Sequence, residues 1–235
     1  MKTANRLISL AKPARMLLIG APGAGKGTQT ERILNKFAGI GALSSGDILR
    51  RNISQKTQIG VQAESIIKSG KLVDDELIAS VVKSELESKS WLNQKNSWIL
   101  DGFPRTEGQA VLLHETLGPL NADLNMVIHL KVPEDIILER IENRYVHIPS
   151  GRVYNLTFNP PKVSGRDDIT GEPLSKRPDD IPAVFKQRLD SFRDVTEPLL
   201  EFYDKRGVLK VVSGISSDII YPQLEKLIAE SFCQN

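Results

Sequence analysis

Apolar residues gather in short runs at 16–19, 98–100, 126–132 and 208–212, and the stretches between them carry apolar positions at helical spacing. Runs this short and continuous read as strands buried on both faces, and Leu43 closes a further one. Strands alternating with helices predict an α/β fold in three layers, with a central parallel sheet of about five strands covered on both sides. Such sheets bind ligands beyond the carboxyl ends of their strands, so the residues that follow each run become the candidates for chemistry.

Two segments interrupt the alternation. Residues 44–73 read as short helices, with a pause at Ile59 and Gly60 and a stop at Ser69, Gly70 and Lys71. Residues 143–180 are rich in Pro, Gly, Asn and Asp, with β-like pieces such as 152–154, and cannot form a long helix. Lying between helical patterns at 134–142 and 183–200, this second segment predicts a small lobe that moves over the site. The chain thus divides into a core (15–43, 74–142 and 181–235), an insertion (44–73), a lobe (143–180) and a basic N-terminal extension (1–14). No internal repeat or low-complexity tract is visible.

Composition narrows the class. The 235 residues are 40% apolar and 26% charged, with net charge +2, as expected for one compact soluble body with insertions. No apolar run approaches the roughly 18 residues of a membrane span. No basic stripe interleaved with aromatics points to nucleic acid. Cys233 is the sole cysteine, which excludes an intrachain disulfide framework and a Cys-rich zinc site and suits a reducing compartment. The first 30 residues hold Lys2, Arg6, Lys12, Arg15 and Lys26 and no acid, while Leu7, Ile8, Leu10 and Ala11 fall near one helical face. This pattern reads either as a short mitochondrial targeting signal, retained because Arg15 opens the first strand, or as a frayed basic tail.

Four strand ends carry polar signatures: GAPGAGKGT, SSGDILR, DGFPRT and SGISSD. In the first, Gly20, Gly23, Gly25 and Gly27 are expected to turn the backbone and aim its N–H groups inward, beside a helix starting near Lys26. That makes an anion site, formed by Gly23, Ala24, Gly25, Lys26, Gly27 and Thr28, with Lys26 reaching the outer phosphates. Gly27 takes the usual Ser/Thr position and the hydroxyl comes at Thr28, a departure pointing to small-molecule phosphotransferases. Asp101, at the end of its strand, can hold magnesium through water, with Thr28 orienting a ligand; the ion arrives with the nucleotide and has no direct protein ligand set. The turn Gly102, Phe103, Pro104 and Arg105 projects a guanidinium toward a second phosphate. Arg50, Arg140, Arg144, Arg177 and Arg188 extend the array, which suits phosphoryl transfer between two polyanions. An acceptor that is itself a phosphate needs no general base, in keeping with the scattered His114, His129 and His147.

With these motifs the chain resembles the long-lid adenylate kinase family from about residue 15 to 220, through GAPGAGKGT, LSSGDILR, GKLVDDELI, DGFPRT, the PSGRVYN to FNPPK lobe and the RPDD exit. The resemblance implies a P-loop core, a helical AMP-binding insertion and a β-rich lid. It also implies γ-phosphoryl transfer from a magnesium nucleoside triphosphate to AMP by a monomer acting on nucleotides alone. Ser45, Arg50, the backbone of Lys71, Leu72 and Val73, the Gly102 to Arg105 turn, Arg177 and Arg188 then fall at the AMP site, with Gln109 reading adenine. Lys26, Asp101, Arg105, Arg140, Arg144, Arg177 and Arg188 fall at the transferring phosphate. Many relatives hold zinc in the lid through four cysteines; here His147, Ser150, Asp167 and Thr170 stand at those places, implying a hydrogen-bond network and no zinc.

The donor divides the family. After Val153 and Tyr154 comes Asn155, where ATP-using relatives often carry histidine, and the amide matches guanine O6 and N1–H. Ser216, with Gly214 and Ile215, is expected on the other side of the base. This points to the mitochondrial GTP:AMP phosphotransferase branch and a matrix location, the alternatives being an ATP:AMP kinase and a cytoplasmic one. A guanine-nucleotide switch is disfavoured: its N-K-x-D reader is missing, since Asn35, Lys36 and Phe37 lead to Ala38.

Overall fold

The computed structural model describes residues 7–233. Five strands, β1 (Arg15–Ile19), β2 (Ile40–Ser44), β3 (Ser97–Asp101), β4 (Met126–Lys131) and, after two short strands β5 (Arg144–Val146) and β6 (Val153–Asn155), β7 (Leu209–Ser213), form one parallel sheet in the order β2-β3-β1-β4-β7. The expected parallel α/β architecture is borne out, with β2 as the strand containing Leu43. Side chains alternate between its faces. Leu17 and Ile19 of β1 join one core with Leu43, Trp98, Leu100 and Val127, while Met16 and Leu18 join the other with Ile33, Ile99, Ile128 and Leu224.

Helices α1 (Lys26–Leu34), α2 (Ser45–Ser54), α3 (Gln58–Lys68), α4 (Asp75–Ser88), α5 (Glu107–Leu117), α6 (Glu134–Glu142), α7 (Pro182–Ser191), α8 (Leu199–Asp204) and α9 (Ser217–Ile228) complete the described residues with short 3-10 and π turns. None of these helices is long and apolar enough to cross a membrane. β1 lies mid-sheet, so the loop that leaves it opens at the crevice between β3 and β4.

Three local expectations are corrected. The insertion does not pause at Ile59 and Gly60: α2 ends at Ser54 and Thr57 caps α3, its hydroxyl accepting from the Gly60 N–H at 3.1 Å. Gly60 is there for contact, since a Cβ on it would lie 2.1 Å from the Asn52 carbonyl oxygen. The helix expected over 183–200 breaks into α7, a π turn at Phe192–Thr196 and α8, because Pro198 has no N–H to continue the ladder. The helical face expected over 3–12 lies partly outside the described residues. From Leu7 onward the chain is not helical: Ile8 forms a parallel bridge with Phe37, its N–H donating to Lys36 O at 2.8 Å, and the Ala11 N–H donates to Phe232 O at 2.7 Å. Ile8 and Leu10 pack on the core, which also removes the frayed-tail reading for these residues.

Candidate active site

The loop after β1 is shaped at two points. Gly23 and Gly25 have φ of 86° and 95°, a left-handed backbone that favours glycine. Gly20 and Gly27 do not adopt it; a Cβ on Gly20 would press on Leu130, and Gly27 faces open space. Gly25 caps α1 without a side chain, and the helix has no acid in its first turn. Its unpartnered N–H groups and positive dipole end therefore face the crevice. Thr28 lies in this first turn, half-buried.

Lys26 Nζ donates to the carbonyl oxygens of Gly20 (2.8 Å) and Ala21 (3.2 Å). Its pKa is pushed down to about 8, first by burial and then by Arg105, Arg188 and Arg144, with Asp101 pulling the other way. Asp101, beside Leu18 in the sheet register, is pushed up by burial while Lys26 and Arg105 hold it down. Burial and neighbouring cations likewise lower Arg177 to about 9 and Arg188 to about 10. These groups crowd positive charge into one place, a cost that phosphate oxygens would relieve.

Carboxylates hold the arginines meanwhile. Arg144 Nε donates to Asp180 Oδ2 at 2.8 Å, Arg188 Nη1 reaches Asp179 Oδ2 at 2.8 Å, Arg50 pairs with Asp47, and Arg177 lies 4.0 Å from Asp47. Six cations, Lys26, Arg50, Arg105, Arg144, Arg177 and Arg188, thus face four carboxylates, Asp47, Asp101, Asp179 and Asp180. Sequence reasoning missed Asp47, Asp179 and Asp180, although they stand inside the quoted GDILR and RPDD motifs.

One cleft brings together Ser45, Arg50, Lys71, Leu72, Val73, Gly102, Arg105, Gln109 and Arg188. Ser45 Oγ donates to Gly102 O at 2.7 Å, and Arg105 Nε donates to the same oxygen at 2.7 Å. An adjoining hollow under the phosphate loop is lined by Lys26, Gly102, Pro104, Arg105 and Arg188. Arg105 and Arg188 therefore border both. Phe103 is the exception among the expected contacts: its side chain is 1% exposed and belongs to the hydrophobic core.

On the other flank, Arg140 Nη1 donates to Ala24 O (3.1 Å) and Nη2 to Ile215 O (2.9 Å), joining the phosphate loop to the turn before α9. Ser216 caps α9, its hydroxyl accepting from the Ile219 N–H at 3.3 Å. Phe158, half-exposed on the lobe, holds its ring 5.8 Å from the Arg140 guanidinium and was not singled out from sequence. Val153 is exposed at 36%. Two residues expected at the base have partners within the protein. Tyr154 is buried in the lobe, where its hydroxyl donates to Asp167 Oδ1 at 2.9 Å. Asn155 Nδ2 donates to Arg140 O at 2.9 Å while Oδ1 accepts from the N–H groups of Thr157 and Phe158, so the oxygen is filled and one N–H is left.

Within the lobe, β5 and β6 pair antiparallel. His147 Nδ1 lies 2.7 Å from Ser150 Oγ, Thr170 Oγ1 donates to Asp167 Oδ2 at 3.0 Å, and Thr170 Oγ1 lies 3.5 Å from His147 Nε2. Arg152, forked onto Asp167, and Glu172, 2.6 Å from His147 Nε2, enlarge the cluster beyond the four expected positions. No cluster of three or more His, Cys, Asp or Glu suited to a metal occurs among the described residues.

Residues 18–208 match the family profile described as adenylate kinase. The chain is 52% identical over 229 residues, 97% of its length and 98% of the relative's, to a Saccharomyces cerevisiae protein named "GTP:AMP phosphotransferase, mitochondrial". A second protein of that name, from Saccharomyces cerevisiae strain S288c, is 53% identical over 93% of this chain and 97% of its own. A Yarrowia lipolytica protein named "Adenylate kinase" is 46% identical over 86% of this chain and 80% of its own.

Proposed function

This chain belongs to the adenylate kinase family, and from that premise we propose that it transfers the γ-phosphoryl group of magnesium GTP reversibly to AMP, giving GDP and ADP. The observation that carries the reading is the sharing of Arg105 and Arg188 between the two hollows. A phosphate held in each would meet at those guanidinium groups, beside Lys26 and under Arg144 and Arg177. Arginines placed there stabilise charge on the moving phosphoryl group. AMP lies in the cleft of Ser45, Arg50, Lys71, Leu72, Val73 and Gln109, and the donor lies on the phosphate loop with its base between Arg140 and Ser216.

Magnesium fits as an ion carried by the triphosphate: the Asp101 carboxylate, next to the phosphate-loop strand, and the Thr28 hydroxyl can hold its water shell. When bound, it neutralises charge on the β- and γ-phosphate oxygens. Lys26 and the loop N–H groups orient those oxygens, and closure of the lobe over them excludes water as a rival acceptor.

GTP as donor is supported by the two relatives named for it, which match nearly the whole chain. Asn155, whose Oδ1 is filled by Thr157 and Phe158, cannot accept from guanine N1–H while donating to O6, so it does not carry the donor assignment. Their names also support a mitochondrial place, and the basic N-terminus supports the matrix within it. Core, AMP insertion (44–73) and lid (143–180) are the working division of a monomer. Initial rates with GTP, ITP and ATP at fixed AMP test the donor. GTP should lead in kcat/KM, and an ATP advantage of about tenfold, some 1.4 kcal/mol, sinks the assignment.

A further inference from the structure

We propose that Asp75 decides which purine the acceptor cleft reads, by fixing the polarity of the Gln109 side-chain amide. The inference rests on the reading of that cleft as the AMP site. Gln109 is 2% exposed and lines the cleft. An amide can be turned two ways with nearly the same shape and opposite readout. Adenine presents its N6 donor beside the N1 acceptor, whereas hypoxanthine presents the O6 acceptor beside the N1–H donor. With the nucleotide phosphate held at Arg50 and Arg105, one amide orientation complements the 6-aminopurine and the flipped one complements the 6-oxopurine.

The orientation here follows from its partners. Gln109 Nε2 donates to Asp75 Oδ1 at 2.8 Å, and Gln109 Oε1 accepts from the Arg105 backbone N–H at 2.7 Å. A carboxylate only accepts and a peptide N–H only donates, so a flip would set donor against donor and acceptor against acceptor. Each end of the amide keeps one further bonding direction for a base. The Arg105 N–H is backbone and remains in every variant, so it supplies a fixed part of the bias, and Asp75 is the side chain that supplies the part a substitution removes. Its carboxylate is itself anchored: Oδ2 accepts from Thr106 Oγ1 at 2.8 Å, and Thr106 caps α5. Asp75 opens α4, so two helix starts hold it in place.

Tying α4 to α5 would be role enough for Asp75, and the test separates the two roles. The full chain and its Asp75→Asn, Asp75→Ser and Thr106→Val variants are assayed with saturating GTP and either AMP or IMP; IMP changes the 6-position and N1 and adds no 2-amino group. Asn and Ser can donate as well as accept, so both variants should lower kcat/KM for AMP about tenfold through KM, with kcat within about twofold. IMP should be spared, so the AMP to IMP ratio collapses. Thr106→Val removes the α5 cap on the Gln109 N–H and the anchor on Asp75 Oδ2, and leaves the Asp75 to Gln109 side-chain bond: it should lower the melting temperature and keep the ratio. Equal losses on AMP and IMP in the Asp75 variants, or an unchanged AMP KM, overturn the proposal. A wild-type enzyme that forms no ADP from AMP overturns the acceptor reading, and the inference with it.

Discussion

Lys26 is where a single residue's surroundings translate into a measurable pH dependence. Its pKa stands near 8 against an ordinary 10.5, because burial and three arginines oppose its charge. Below pH 8 the folded chain therefore bears about 3 kcal/mol for keeping Lys26 protonated, and that cost fades as the pH rises from 8 toward 10.5. A triphosphate reverses the bias and raises the pKa, so GTP binding near pH 8.5 should take up roughly three-quarters of a proton. Calorimetry in buffers of different ionisation enthalpy measures it; Lys26→Met should abolish the uptake, and an unchanged uptake would assign it elsewhere. Arg144 gives a second residue-level expectation. It is free to exchange Asp180 for a phosphoryl group, so Arg144→Ala should lower kcat by about 10² to 10³, some 2.7–4 kcal/mol, with KM for both nucleotides changed only a few-fold. Near-normal kcat would remove it from the transfer step.

At the scale of elements, apolar runs and glycine spacing made the sheet and phosphate loop legible, because strand burial and left-handed turns depend on local residue type. Contacts between elements were less so. Gly60 looked like a break, yet it lets α3 lie against the end of α2. Gly60→Ala should therefore destabilise the protein by about 1–3 kcal/mol or disorder the insertion, read by denaturant unfolding and by the KM for AMP. Asn155 looked like a base reader because its partner, the Arg140 carbonyl, lies 15 residues away on another element and leaves no mark in the local pattern. Asp167 was legible as a lobe position, but its anchor Arg152 was not. Arg152, backbone N–H groups and Tyr154 together hold the Asp167 carboxyl far below the ordinary range, against burial, which pushes the other way. A depressed acid stabilises above its unfolded pKa and loses that contribution only as pH falls through the folded one. The lobe should accordingly keep its protease resistance in mild acid down to about pH 4. Asp167→Ala should lose that resistance even at pH 7.

In the whole molecule, lobe and insertion meet over the cleft: Arg177 stands 4.0 Å from Asp47, and a Cβ on Gly151 would be 3.9 Å from that carboxylate. The arrangement is closed, with Asp47 beside guanidinium groups that would otherwise face phosphate. Donor choice is then a property of the closed assembly, since the base would be enclosed by Arg140 from the core, the turn before α9 and the Phe158 face of the lobe together. A ligand that spans both sites samples that enclosure at once. At about 1,000 times its Kd such a ligand adds roughly 4 kcal/mol, enough to raise the melting temperature of a chain this size by about 10 °C. Guanosine and adenosine joined through five phosphates should stabilise the enzyme more than the diadenosine compound, because only the first fills the donor side with guanine. Equal shifts would show that the closed lobe holds phosphates and a purine face without distinguishing the base. A larger shift for the diadenosine compound would make ATP the donor and leave the phosphate geometry untouched.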